Sequence, residues 1–140
     1  MRVYLAGGIN GLSDAECNNW RTKTKELFAR EVPGLVTCID PMRRDYRGTE
    51  NDAGIDKKIV EGDLVDIRSC DVMISMMPKP SWGTGMETFW AYRNGLYVIA
   101  VVPSDVRVSP WVSFHSSERV HTVERAVESA ISVGSERMLL

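Results

Sequence analysis

Residues 71–102 read DVMISMMPKPSWGTGMETFWAYRNGLYVIAVV. A short apolar run (71–77) enters a Pro/Gly-punctuated turn, PKPSWGTG (78–85); METFWAYRN (86–94) then recurs at helical spacing with Gly95 as its stop, and LYVIAVV (96–102) is a second apolar run. Strand, turn, helix and strand in that order make a βαβ unit, whose crossover is right-handed and whose strands are parallel. A parallel sheet must be covered on both faces by helices, so this stretch decides the class.

The flanking segments extend the alternation in both directions. RVYLA (2–6) reads as a buried strand ending in GGING (7–11). A helix follows: Ser13 and Glu16 form a capping box, and Cys17, Trp20, Thr24, Leu27 and Phe28 recur at helical spacing until Pro33 and Gly34. LVTCI (35–39) is the second strand, and helical periodicity returns over 54–70. Between them DPMRRDYRGTEND (40–52) is a polar loop of a length that often carries function. The last helix is expected over 120–133, after the loop PSDVRVSPWVSFHSS (103–117).

The expected fold is therefore α/β: a small doubly wound, flavodoxin-like parallel sheet with helices on both faces, in one domain spanning 1–140. Ligands bind such sheets outside the carboxyl ends of the strands. The loops at 7–11, 40–48, 78–85 and 109–117 should gather there.

A chain of 140 residues can bury a core without metals or disulfides. With 17 basic and 19 acidic residues interspersed, it offers no broad cationic face for a nucleic-acid polymer or an anionic membrane, so a small-molecule partner is expected. Three scattered cysteines, no export signal and an apolar run far short of the ~20 residues of a membrane span point to a cytoplasmic chain.

Two carboxylates stand out. At about 100° per residue, Asp63 shares its helix arc with Ile59, Ile67 and Cys70, where an unpaired charge is costly. It either pairs with a neighbour or faces a ligand as a general acid. Glu87 follows Thr84 by three positions, which is the spacing of a capping box. It also follows Gly83 and Gly85, whose missing side chains let a ligand approach a helix start that favours an ionised nucleophile.

Other signals have competing readings. The segment AGGING with Asp40 is a degenerate dinucleotide fingerprint, weakened by Ala6 in the first glycine position and by the late helix start. His115 and His121 lack ligand-spaced companions, so no metal is expected. Trp82 and Trp111 are placed to stack on a base, whereas Trp90 suits the core or a subunit contact. Arg43, Arg44 and Arg47 form either a solvated loop or a lid.

YLAGGI (4–9), DLVDIRSCDVMIS (63–75), PSWGTGMETFWAYRNGLYVIAV (80–101) and SPWVSFH (109–115), in this order, resemble the nucleoside 2-deoxyribosyltransferases and the related deoxynucleoside 5'-monophosphate N-glycosidases. The resemblance implies that Glu87 is the nucleophile attacking C1' to form a glycosyl-enzyme, that Tyr4 orients it, and that Asp63 meets the base and helps protonate it. It also implies that Gly7 admits the sugar at the first loop, and that His115 or Ser116 reaches a neighbouring subunit's site in a homodimer or dimer of dimers. Transfer to a second base is the implied outcome, with water as the alternative acceptor and a non-catalytic nucleotide-binding module as a third reading. No cofactor is implied. Ser81 stands where the transferases often carry an aspartate, as in the monophosphate hydrolases, while Asn10 stands where those hydrolases often carry an arginine.

Overall fold

The computed structural model describes residues 1–140. Five strands, β1 (Arg2–Gly7), β2 (Thr37–Ile39), β3 (Val72–Met76), β4 (Tyr97–Val101) and β5 (Glu118–Val120), form one sheet in the order β2-β1-β3-β4-β5. Every pairing is parallel. The helices are α1 (Asp14–Glu31), α2 (Ile55–Arg68), α3 (Trp82–Arg93), the short α4 (Pro110–Phe114) and α5 (Val123–Glu136).

Successive side chains on a strand alternate faces, and the core divides accordingly. Val3, Leu5, Val72, Ile74, Ile99 and Val101 pack with Phe28 of α1 and with Ala126, Val127, Ala130 and Val133 of α5. Tyr4, Ala6, Met73 and Val98 pack on the opposite face with Ile67 of α2 and Ala91 of α3. Tyr4 is thereby committed to the α3 side. The chain runs from β1 to β2 on one side and returns to β3 on the other, so the switch point lies between the carboxyl ends of β1 and β3.

Sequence and structure differ at three places. Helix α3 begins at Trp82, four residues before the expected start, because Ser81 caps it by accepting from the Thr84 amide at 3.5 Å. Thr84 thus lies inside the helix, buried, and the Thr84–Glu87 capping box does not form. The loop 103–117 contains α4, started by Ser109 and Pro110. The expected start of the last helix instead contributes the edge strand β5, too short and polar to read as a strand, and α5 starts only at Val123 behind the Thr122 cap. The Ser13–Glu16 capping box is present.

Candidate active site

Tyr4 and Glu87 meet at the centre of the α3-covered face. The Tyr4 hydroxyl donates to Glu87 Oε1 at 2.8 Å. Tyr4 is fully buried, and its neighbours Glu87 and Asp63 add to burial in raising its proton affinity, so it stays a donor at any ordinary pH. Burial pushes the Glu87 carboxyl up to about 7; the Tyr4 hydrogen bond opposes this, Asp63 adds to it, and Arg21 opposes it. Glu87 retains partial solvent contact, so a ligand can reach it.

Asp63 on α2 is close enough to act on both groups electrostatically. Burial raises its own proton affinity, while Arg44 counteracts. Arg44 Nη2 lies 3.3 Å from Asp63 Oδ1 and also donates to Asp66 Oδ2, which Arg43 Nη2 meets at 2.6 Å. Arg47 ties the same loop to Asp14 of α1 at 2.6 Å and to Asp45 at 2.7 Å. The 40–52 loop is therefore fastened to both flanking helices by its arginines rather than merely solvated. Asp66, three residues after Asp63 on α2, is the anchor of that fastening.

Arg21 was not legible as a site residue, since an arginine on a helix usually faces water. It is 1% exposed, donates from Nη2 to Gly7 O at 3.0 Å and from Nη1 to Cys17 O, and pairs through Nε with Asp40 Oδ1 at 3.3 Å. Burial lowers its proton affinity, which Asp40 and, more weakly, Glu87 oppose. It braces the end of β1 from behind the Tyr4–Glu87 pair.

The remaining candidate residues lie apart from the carboxylates. Ser81, Gly85 and His115 line a cavity of about 760 Å³ between α3 and α4, together with Lys79, Arg107 and Trp111. Glu87 does not line it; Met86 and Phe89, on either side in sequence, do. Ser81 Oγ also lies 3.9 Å from the position a Cβ on Gly8 would take, so the cavity adjoins the first loop. Ser116 faces a second hollow of about 600 Å³ with His121 and Glu118, and its hydroxyl donates to Val112 O at 2.9 Å.

Side-chain detail refines several expectations. A Cβ on Gly7 would meet Trp20 Cζ2 at 2.6 Å, so Trp20 of α1 occupies the space its missing side chain leaves. At Gly83 and Gly85 a Cβ would meet nothing within 4 Å. His115 Nδ1 donates to Trp111 O at 2.8 Å, and its ring sits among Phe89, Tyr92, Trp111 and Phe114 with centroids 5.0 to 5.7 Å away. Trp90 packs against the α2–α3 side of the core under Arg68, while Phe89 remains 42% exposed, so only the latter belongs to an exposed face. No three His, Cys, Asp or Glu side chains are grouped to hold a metal ion, and no helix is long and apolar enough to cross a membrane.

Comparison with known proteins places the chain and its fold. The family described as Nucleoside 2-deoxyribosyltransferase matches residues 3–129. Among solved structures, a 2-deoxyribosyltransferase from Bacillus psychrosaccharolyticus superposes with a TM-score of 0.71 at 14% identity, covering 91% of this chain and 90% of that one. A conserved protein from Enterococcus faecalis V583 gives 0.68 at 14% identity, covering 91% and 94%. The CMP N-glycosidase BcmB of Clostridium botulinum gives 0.59 at 15% identity, covering 93% and 98%. No curated protein matches.

Proposed function

Because the chain belongs to the nucleoside 2-deoxyribosyltransferase family, and is thus an enzyme, we propose that it cleaves the N-glycosidic bond of 2'-deoxyribonucleosides or their 5'-monophosphates through a covalent intermediate on Glu87. The observation that carries this reading is the 2.8 Å hydrogen bond from Tyr4 to Glu87. A half-buried carboxylate held by one fixed donor has its other oxygen free to attack.

Glu87 attacks C1', the C1'–N bond breaks with its electron pair going to the base, and Asp63 supplies a proton to that base. A second base, or water, then gives its proton to Asp63 and attacks C1', which breaks the C1'–O bond and returns Glu87 as the carboxylate. Positive charge develops on the sugar, and the adjacent carboxylate stabilises it, as in retaining glycosidases. The reactive form carries a proton on Asp63 and negative charge on Glu87; mutual repulsion of the two carboxylates favours one proton between them.

The test is to incubate the protein with a panel of deoxynucleosides and their monophosphates, with and without a second free base, and to chromatograph the products. Glu87→Ala should abolish turnover while keeping the fold, and mass spectrometry of wild type should find a sugar adduct on the Glu87 peptide. Turnover surviving in Glu87→Ala would overturn the reading.

A second reading, hydrolysis of deoxynucleoside 5'-monophosphates, is favoured by the cavity at the start of α3. There the Ser81 hydroxyl lies with the Lys79 and Arg107 side chains, a setting for an anion. A monophosphate should then bind more tightly than its nucleoside, and Ser81→Asp should reverse the order by charge repulsion. Equal affinities in calorimetry would return the free nucleoside to first place.

The assembly we propose is a homodimer or dimer of dimers with shared sites. Trp82 and Trp111, which line the α3–α4 cavity, are 90% and 71% exposed, and Phe114 of α4 is 71% exposed, an apolar surface suited to a second subunit.

A further inference from the structure

The strongest unused feature is the way Arg44 is seated. Gly62 immediately precedes Asp63 on α2, and a Cβ there would meet Arg44 Nη2 at 3.2 Å and Cζ at 3.3 Å. The bare backbone of Gly62 lets the guanidinium lie a few tenths of an ångström closer to the helix than a side chain there would. A glycine in a helix interior is otherwise unfavourable, so its place here coincides with a packing need. Once seated, Arg44 Nη2 is shared by Asp63 Oδ1 and Asp66 Oδ2. Its Nη1 and Nε, and the second oxygen of Asp63, make no hydrogen bond within the chain. The two side chains remain 31% and 18% exposed, so those free atoms are within reach of a ligand.

We propose that Arg44 is a specificity-determining residue that donates to an acceptor atom of the leaving base, beside the atom that Asp63 meets, and so favours bases bearing an exocyclic oxo group. This rests on the reading above in one respect, that the base lies at Asp63. The chemistry follows from the donor set. A guanidinium has five N–H groups and no acceptor, so what it recognises must be a carbonyl or ring nitrogen. Because Arg43 holds Asp66 independently, loss of Arg44 does not leave that carboxylate unpaired.

The experiment measures binding of free bases by calorimetry, which requires no turnover. Two pairs are used: hypoxanthine against unsubstituted purine, and uracil against pyrimidin-2-one, each pair differing in one oxo group. Wild type should prefer the oxo member of at least one pair by roughly ten-fold, the scale of one hydrogen bond to a charged group. Arg44→Met, which keeps the stem and removes the donors, should abolish that preference. Gly62→Ala should also weaken it by pushing the guanidinium off its position by a few tenths of an ångström, while its melting temperature holds or rises, because alanine is the better helix former. That combination separates displacement of Arg44 from damage to the fold. Absence of any oxo preference in wild type, or its persistence in Arg44→Met, overturns the proposal; its persistence in Gly62→Ala overturns the seating argument. Failure of the covalent mechanism registers elsewhere, as turnover retained by Glu87→Ala.

Discussion

The Tyr4 hydroxyl and Glu87 Oε1 are joined at 2.8 Å although the residues stand 83 positions apart, so the phenol at the middle of β1 favours the ionised form of a carboxylate in the middle of α3, against the burial that opposes it. The mechanism needs one proton between Glu87 and Asp63, and the Glu87 carboxyl is pushed up to about 7, so kcat/KM should fall as pH rises through the neutral range and the pair loses that proton. Tyr4→Phe removes the hydrogen bond that favours the ionised form. Its alkaline limb should therefore move up, by about one pH unit. Matched pH–rate profiles check this, and coincident limbs would mean that Glu87 does not govern that limb.

The same shift has a consequence for folding. Glu87 binds its proton more tightly folded, at about 7, than at its ordinary 4.5, so between these values the folded state carries more proton than the unfolded one. Stability contributed by that proton is complete below the window and is lost as pH rises through it. Glu87→Gln should accordingly melt later than wild type at pH 8, by on the order of 1–3 kcal/mol, with the difference shrinking toward pH 4.5. Paired thermal melts at the two pH values measure it; an unchanged difference would mean Glu87 does not titrate this way.

Gly7 and Gly83 should respond oppositely to alanine. At Gly7 the added methyl meets Trp20 Cζ2 at 2.6 Å and Cε2 at 3.3 Å, so a ring packed on α1 must shift. Overpacking of this kind costs roughly 1–3 kcal/mol. At Gly83 nothing lies within 4 Å, and the helical backbone there accepts alanine readily. Denaturant melts should show a loss for Gly7→Ala and no loss for Gly83→Ala.

Shared sites predict complementation between subunits. An inactive Glu87→Ala chain mixed with an inactive chain carrying both His115→Ala and Ser116→Ala should recover partial activity under conditions of subunit exchange. Replacing exposed Trp82 and Trp111 by aspartate should shift the sedimenting species toward monomer. Monomeric wild type, or no recovery despite proven exchange, would sink the shared-site assembly.

Most of the architecture was legible because the apolar runs at 2–6 and 71–77 and 96–102 are long, and each meets a Gly- or Pro-bearing turn. β5 escaped because Glu118–Val120 is three residues with one apolar side chain at the sheet edge. The start of α3 was misplaced because glycines at 83 and 85 resemble a turn, and the Ser81 cap that outweighs them is only one residue. At the site, Glu87 stood out by its setting, Tyr4 entered through the family resemblance and Arg44 only as part of a basic loop, whereas Arg21 and Gly62 were not singled out. Their roles arise from contacts over long sequence separations, and a one-dimensional pattern carries no trace of a guanidinium lying on a bare helix backbone.

Tyr4 belongs to an interior strand, paired with Ile39 on one side and Met73 on the other, while the 40–52 loop is held chiefly by ion pairs near water. Amide hydrogens around Tyr4 should exchange only through global opening, those of the loop through much cheaper local excursions. Salt weakens the exposed ion pairs and leaves the strand pairing untouched. Moderate ionic strength should therefore blur discrimination among bases while bond cleavage continues, giving an enzyme whose selectivity is softer than its chemistry.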